Sequence, residues 1–264
     1  MSVTVNRKNS GKASHAAAPA LVLSALIQLN CALPQTACAL SPADLKDQLP
    51  PEDALNLMAK NKVGGQFIDS LRQAANFKDY QVECQLFTKK GDGWKTFGAA
   101  MLCYKQKDQI RATIKSNDYR DGSIVVKQAD GSVRGRGGGL LRALTMNLEP
   151  DSRSIRLPTG YSLASSDFLS LYDALKGALG RGAAANATGS AVTLKLFREP
   201  VLVLKVDKSG PGAQSGKASD VVFVNPSSKL PLAWATYKDG QPSALVIFDG
   251  LMQNKGLSDD LFHL

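Results

Sequence analysis

From residue 80 onward, apolar and polar positions alternate in short runs separated by Asp-Gly pairs at 92–93, 121–122, 130–131 and 239–240. Asp-Gly suits a tight hairpin because both central residues tolerate positive φ, so the pattern predicts an antiparallel meander. Val192, Leu194 and Leu196 alternate with Thr193 and Lys195, and Leu232, Trp234 and Thr236 alternate with Ala233, Ala235 and Tyr237. Such segments read as strands with two distinct faces. Residues 123–128, 201–206, 221–224 and 244–248, the last ending at Phe248, are apolar enough to need cover on both faces.

Helical texture comes earlier and in the middle. Ser41-Pro42 opens a turn, Pro50-Pro51 interrupts the chain, and residues 52–61 and 66–75 carry helix formers. Phe67, Ile68, Leu71 and Ala75 define one apolar stripe that predicts packing on a sheet. After Ser165-Ser166-Asp167, Phe168, Leu171, Tyr172, Leu175 and Leu179 recur at helical spacing behind a Ser cap, with Gly177 and Gly180 ending the run. This greasy helix is the natural cover for the strands. The glycine-rich stretches 135–139 and 177–189 read as mobile surface loops, and a third, 209–219, lies between two strands.

The first 39 residues hold Arg7, Lys8 and Lys12, no acid, a short apolar run and then Ala37-Cys38-Ala39. That combination reads as a signal peptide cleaved before Leu40, with residues 40–264 as a single domain exported to the periplasm or cell envelope. The apolar run is too short to span a bilayer, and nothing in the mature chain reads as a transmembrane segment. The full chain of 264 residues carries +9, with 32 basic and 23 acidic groups, and the mature part keeps 29 basic groups. No basic run is interleaved with aromatics, which argues against nucleic acid as a partner.

Catalytic chemistry finds few candidates. His15 falls in the leader and His263 stands beside the last residue, so a nucleophile would lack a base. The glycines at 135–139 lack a βαβ setting, and Gly212 to Lys217 misplaces the first glycine of a phosphate loop. Asp259-Asp260 reads as a solvated turn rather than a glycosidase pair. No metal-ligand cluster, cofactor or catalytic residue is therefore expected. Cys84 and Cys103 remain after the leader, an even pair in an oxidising compartment. A hairpin centred on Gly91-Asp92 would place Cys84 opposite residue 99 and leave Cys103 about 13 Å away, so a disulfide needs a loop centred near Gly93-Trp94. Two buried free thiols are the alternative.

The last third carries a more specific pattern. Asp220 to Val224, Lys229-Leu230-Pro231, Ala235 to Gln241 and Gln253-Asn254-Lys255-Gly256-Leu257 leading to Phe262 resemble the bacterial lipoprotein-carrier superfamily, the fold of the periplasmic lipoprotein chaperone and its outer-membrane acceptor. Asn147 to Asp151, followed by the Phe168 helix, is similar to a further family of exported proteins with that architecture. The resemblance implies an α+β fold in which a strongly curved antiparallel sheet, a half-open β-barrel, has helices covering its concave face. It also implies an apolar cavity between the two. Phe168, Leu171, Tyr172 and Leu175, with Trp234 and Phe248 on strands, would form the cavity wall. Arg111 would stand for the family's lid-anchoring arginine, although Asp108-Gln109-Ile110-Arg111 lacks the proline of that element. The expected role is a non-enzymatic protein that holds a lipid or lipidated partner. The alternative is an envelope protein-interaction module in which the same side chains complete a solid core.

Overall fold

The computed structural model describes residues 40–116, 120–208 and 218–264. The leader at 1–39, with Cys31, Cys38 and His15, and the Gly212 to Lys217 stretch lie outside the described residues. Twelve strands form one antiparallel sheet: β1 (Asn61–Lys62), β2 (Asp79–Lys90), β3 (Gly93–Lys105), β4 (Gln109–Lys115), β5 (Ile124–Lys127), β6 (Val133–Arg136), β7 (Thr145–Leu148), β8 (Ala185–Ala187), β9 (Leu202–Asp207), β10 (Ala218–Val224), β11 (Pro231–Lys238) and β12 (Gln241–Gln253). Their order is β1-β8-β9-β10-β11-β12-β2-β3-β4-β5-β6-β7, so the sheet is not closed and β1 and β7 are its edges. Among the described residues three α-helices accompany it: α1 (Glu52–Met58), α2 (Gly65–Ala74) and α3 (Phe168–Gly180).

Turn chemistry sets the register. Asp239 and Gly240 both take positive φ, 51° and 80°, and link Lys238 directly to Gln241, the two-residue hairpin that Asp-Gly favours. In the β2–β3 hairpin the link is Gly91-Asp92, because Gly93 already pairs with Lys90. A bulge between Leu86 and Phe87 then places Cys84 opposite Ala100. Cys103 lies three residues further on, about 10 Å along the strand. It also points to the other face, where it packs with Ile124, Val126 and Phe262, while Cys84 packs against the helical side. The expected disulfide is therefore corrected: both cysteines are free.

Alternation along β10 shows why the sheet needs cover on both faces. Val222 and Val224 join a core with Ile68 and Leu71 of α2 and Phe168, Tyr172 and Leu175 of α3. Val221 and Phe223 join a second core with Leu45, Leu49 and Leu55 from the segment around α1. The start of α3 is fixed by two bonds, one within the helix and one to the sheet. Asp167, not a serine, caps the helix by accepting from the Ser170 N–H at 2.9 Å, and the Tyr80 hydroxyl accepts from the Phe168 N–H at 2.9 Å.

Two expected features change. Residues 192–196 are not a strand: Val192 makes only an isolated bridge to Val201, and the chain turns where the Phe197 N–H reaches the Leu194 carbonyl. Leu194, Leu196 and Phe197 nevertheless pack in the second core, so the alternation reflected burial without a ladder. Gly135 is not in a mobile loop but in β6, and a Cβ at Gly138 would lie 2.0 Å from the Asp121 carbonyl oxygen. Gly177 lies inside α3, which ends at Gly180.

On the second face the α1 start is tied down by a buried charge pair. Lys205 Nζ lies 3.0 Å from Glu52 Oε1, and the Ser219 hydroxyl donates to the same oxygen at 2.9 Å. Asp207 is a further partner of Lys205. Burial acts to lower the Lys205 pKa, and the bonds to Asp207 and Glu52 outweigh it, leaving the ammonium above its ordinary value. Replacing Lys205→Met strands the Glu52 carboxylate in a dry site and is expected to cost about 3–5 kcal/mol. Urea unfolding measures this, and a loss under about 1 kcal/mol would show that the pair does not anchor α1.

Candidate functional site: an apolar cavity under the 154–166 segment

Between β7 and α3 the chain crosses back over the sheet. Turns of 3-10 helix at Arg153–Ile155 and Leu163–Ser165 bracket a small hairpin in which Arg156 bridges Ser162 and the Leu157 N–H reaches the Tyr161 carbonyl at 2.8 Å. Beneath it lies a cavity of about 200 Å³. Its roof is Ile155, Arg156, Leu157, Thr159, Tyr161, Leu163 and Ser166, with Leu171 of α3. The floor includes Cys84, Leu86, Gly98, Ala100, Leu102, Ala112, Ile114, Val125, Trp234, Val246 and Phe248.

The hollow has a cause in the sheet register. Gly98 stands opposite Leu86, Ala100 opposite both Cys84 and Ile114, and Ala112 opposite Leu102 and Val125. Small side chains thus occupy the middle of this face on β3 and β4, and no neighbour is long enough to fill the gap. An apolar cavity of about 150 Å³ stays dry and admits hydrocarbon, so this larger one has room for part of an alkyl chain. Arg120 and Arg156 are the charged residues in the wall, which contains no carboxylate.

Of the residues singled out from the sequence, Leu171, Trp234 and Phe248 line this cavity, as does Cys84. Phe168, Tyr172 and Leu175 are buried in the solid core beside it. Phe168 stacks on Tyr80 at 4.8 Å and meets Phe248 edge-on at 5.1 Å, so the space between α3 and the sheet is filled by rings. Arg111 lies on the other face: its Nη1 donates to the Leu261 carbonyl at 2.8 Å, and its strand neighbour is Cys103. Sequence reasoning missed Gly98, Ala100 and Ala112 and the part of the roof formed by residues 154–166. The Gly98-Ala99-Ala100 run, weak β formers within a strand, was the available signal.

One end of the roof is fixed by a buried polar cluster. The Tyr161 hydroxyl donates to Asp220 Oδ2 at 2.6 Å, and Lys208 Nζ lies 2.7 Å from the same oxygen and 4.7 Å from the centre of the Tyr161 ring. Burial pushes the Asp220 carboxyl above its ordinary value, while Lys208, Tyr161 and Trp234 pull it back. Tyr161 is itself raised by burial and by Asp220, and burial pushes the Cys84 thiol up to about 12, which keeps it protonated. His263 contacts Gln128 at 3.1 Å, well apart in the chain from these groups. Among the described residues no group of three or more His, Cys, Asp and Glu could hold a metal ion, and no helix is long and apolar enough to cross a membrane.

No protein-family profile and no curated protein matches the sequence. Among solved structures, the chain is similar to a DUF1329 family protein from Desulfovibrio piger, with 13% identity, a TM-score of 0.43, and 81% of this chain and 98% of that chain covered. It is similar to a LolA superfamily protein from Nitrosomonas europaea, with 11% identity, a TM-score of 0.39, and coverage of 76% and 98%. A domain assigned to outer membrane lipoprotein sorting from Vibrio parahaemolyticus gives 10% identity, a TM-score of 0.40, and coverage of 76% and 96%. All three similarities rest on low identity over most of each chain. They are distant, and the functional reading rests on this chain's own residues.

The raised Asp220 pKa has a consequence for stability. The fold binds this proton more tightly than the unfolded chain, whose carboxyl titrates near 3.9, so the group favours the fold at low pH and its contribution is lost as pH rises through the folded value. Asp220→Asn is expected to remove that fall. Urea unfolding at a series of pH values from about 4 upward checks it, and an unchanged slope would contradict the assignment.

Proposed function

We propose that the chain is an exported, non-enzymatic binding protein that takes an acyl chain, from a lipid or a lipidated partner, into the cavity under residues 154–166. The observation that carries this reading is the hollow itself: about 200 Å³, walled by apolar side chains, with arginines as its charged members. Each methylene moved from water into such a site contributes about 0.8 kcal/mol, which makes hydrocarbon its natural occupant. Arg120 and Arg156 suit a ligand with an anionic head.

The open twelve-strand sheet supports reading the fold as a strongly curved half-barrel, with α3 and the 154–166 segment over the concave face. Export follows from reading residues 1–39 as a signal peptide. A non-enzymatic role agrees with the chemistry of the wall, where the Cys84 thiol stays protonated and no histidine stands.

Organic extraction of the purified protein is expected to release lipid, and a fluorescent fatty-acid probe is expected to bind and be displaced by unlabelled fatty acid. Ala100→Leu fills the floor of the hollow and should weaken probe binding by about fivefold or more, while changing unfolding stability by less than about 1.5 kcal/mol. A protein that yields no lipid and takes up no probe would sink the carrier reading and leave the interaction module in its place.

A further inference from the structure

Among the described residues, Leu140, Leu141, Leu144 and Met146 are four of the six large hydrophobic side chains left exposed, at 104, 49, 55 and 54%. All four belong to the link between β6 and β7 and the start of β7. Leucines usually reach solvent where the chain is loose, yet this link is built. The Leu141 N–H reaches the Gly138 carbonyl at 2.9 Å, the Leu144 N–H reaches the Leu141 carbonyl at 2.9 Å, and the Gly137 N–H returns to the Leu144 carbonyl at 3.3 Å. Gly138 is pressed so closely on Asp121 that any side chain there would collide with its carbonyl. Arg142 lies against Gly122. The fold thus holds the turn down by its backbone and presents the leucines outward.

Charge narrows what could cover them. From Gly131 to Leu148 there is no Asp or Glu, and the charged residues are Arg134, Arg136 and Arg142. Exposed leucines beside arginines, in a stretch free of acids between Asp130 and Glu149, match a surface that is anionic at its face and apolar just beneath. We infer that the β6–β7 link is a membrane-contact lip, whose leucines enter the interface of a bilayer while Arg136 and Arg142 meet anionic lipid head groups. The turn against which the lip packs, Asp121-Gly122, lies between Arg120 and Ser123, and both of these line the cavity. The lip therefore adjoins the cavity wall. A role in passing lipid between bilayer and cavity rests on the acyl-binding reading above; membrane contact itself does not.

The test is co-sedimentation of the full chain with vesicles of phosphatidylcholine alone and of equal parts phosphatidylcholine and phosphatidylglycerol. The chain is expected to bind the anionic vesicles more tightly, with the excess lost at high salt. The double change Leu140→Asp and Leu144→Asp is expected to weaken that binding by about tenfold or more. The same variant should keep its circular dichroism spectrum and its fatty-acid probe binding, which separates loss of the lip from loss of the fold or cavity. Wild-type protein that ignores both vesicles overturns the inference. So does a double variant that binds like wild type while Arg142→Glu does not, since adsorption would then be by charge alone. Concentration-dependent self-association that the double variant abolishes, without vesicle binding, would assign the leucines to a contact between protein copies and equally overturn it.

Discussion

Side-chain size in the middle of β3 and β4 decides the character of the interior. Where Tyr80 stacks on Tyr104 at 5.1 Å and on Phe168 at 4.8 Å, the sheet and α3 meet ring to ring and leave no space. A few positions along the same face, Gly98, Ala100 and Ala112 replace rings with hydrogen or methyl, and the floor falls away. Both halves are apolar, so hydrophobicity does not distinguish them; volume does. A hollow of this size forgoes packing contacts that a filled core would make, at a cost to stability. The filled second core, from Leu45 and Leu55 to Phe223 and Tyr237, supplies burial on the opposite face to offset it.

Strand alternation does a second job at the start of β10. Ser219 points to the second face and bonds Glu52, which also meets Lys205. Asp220, one residue on, points to the cavity side and holds Tyr161 and Lys208. Two buried polar clusters therefore sit back to back through one strand. One ties α1 beneath the sheet and the other ties the roof above it. Each is costly to bury and costlier to break, because removing one partner leaves the other charge in a dry site. Such clusters fix where a covering segment lies more sharply than apolar contact can.

Much of the scaffold was legible from local chemistry. Asp239-Gly240 makes the hairpin its residue types demand, the Phe168 stripe forms α3, and the doubly apolar run at 221–224 is buried on both faces. The failures share a cause. Val192, Leu194 and Leu196 alternate as a strand would, but burial in a tight turn leaves the same trace as burial in a ladder. The cysteine register depended on a bulge at Leu86/Phe87, which no local signal marks. The sequence points to a cavity under α3 because the helix pattern is visible in it. Its displacement toward β3 and β4 depends on which residues face one another across strands, and that is set by register. The roof was invisible for a further reason: residues 154–166 have no periodicity, and the contacts that hold them over the sheet, Tyr161 with Asp220 and Ile155 with Val125 and Val133, are distant in sequence.

That roof is pinned unequally. At the Tyr161 end it is held by hydrogen bonds to a buried carboxylate, with Lys208 as counter-charge. At the other end Ile155 and Ala164 rest on Val125 and Val133, contacts that are non-directional and that a hydrocarbon could replace without leaving a charge unpaired. Separating Tyr161 from Asp220 uncovers a polar pair, whereas lifting Ile155 exposes only apolar surface of the kind an entering alkyl chain would cover. The roof is thus held by a charged cluster where it meets β10 and by apolar contact over β5 and β6, the two strands that lead to the β6–β7 link and its exposed leucines.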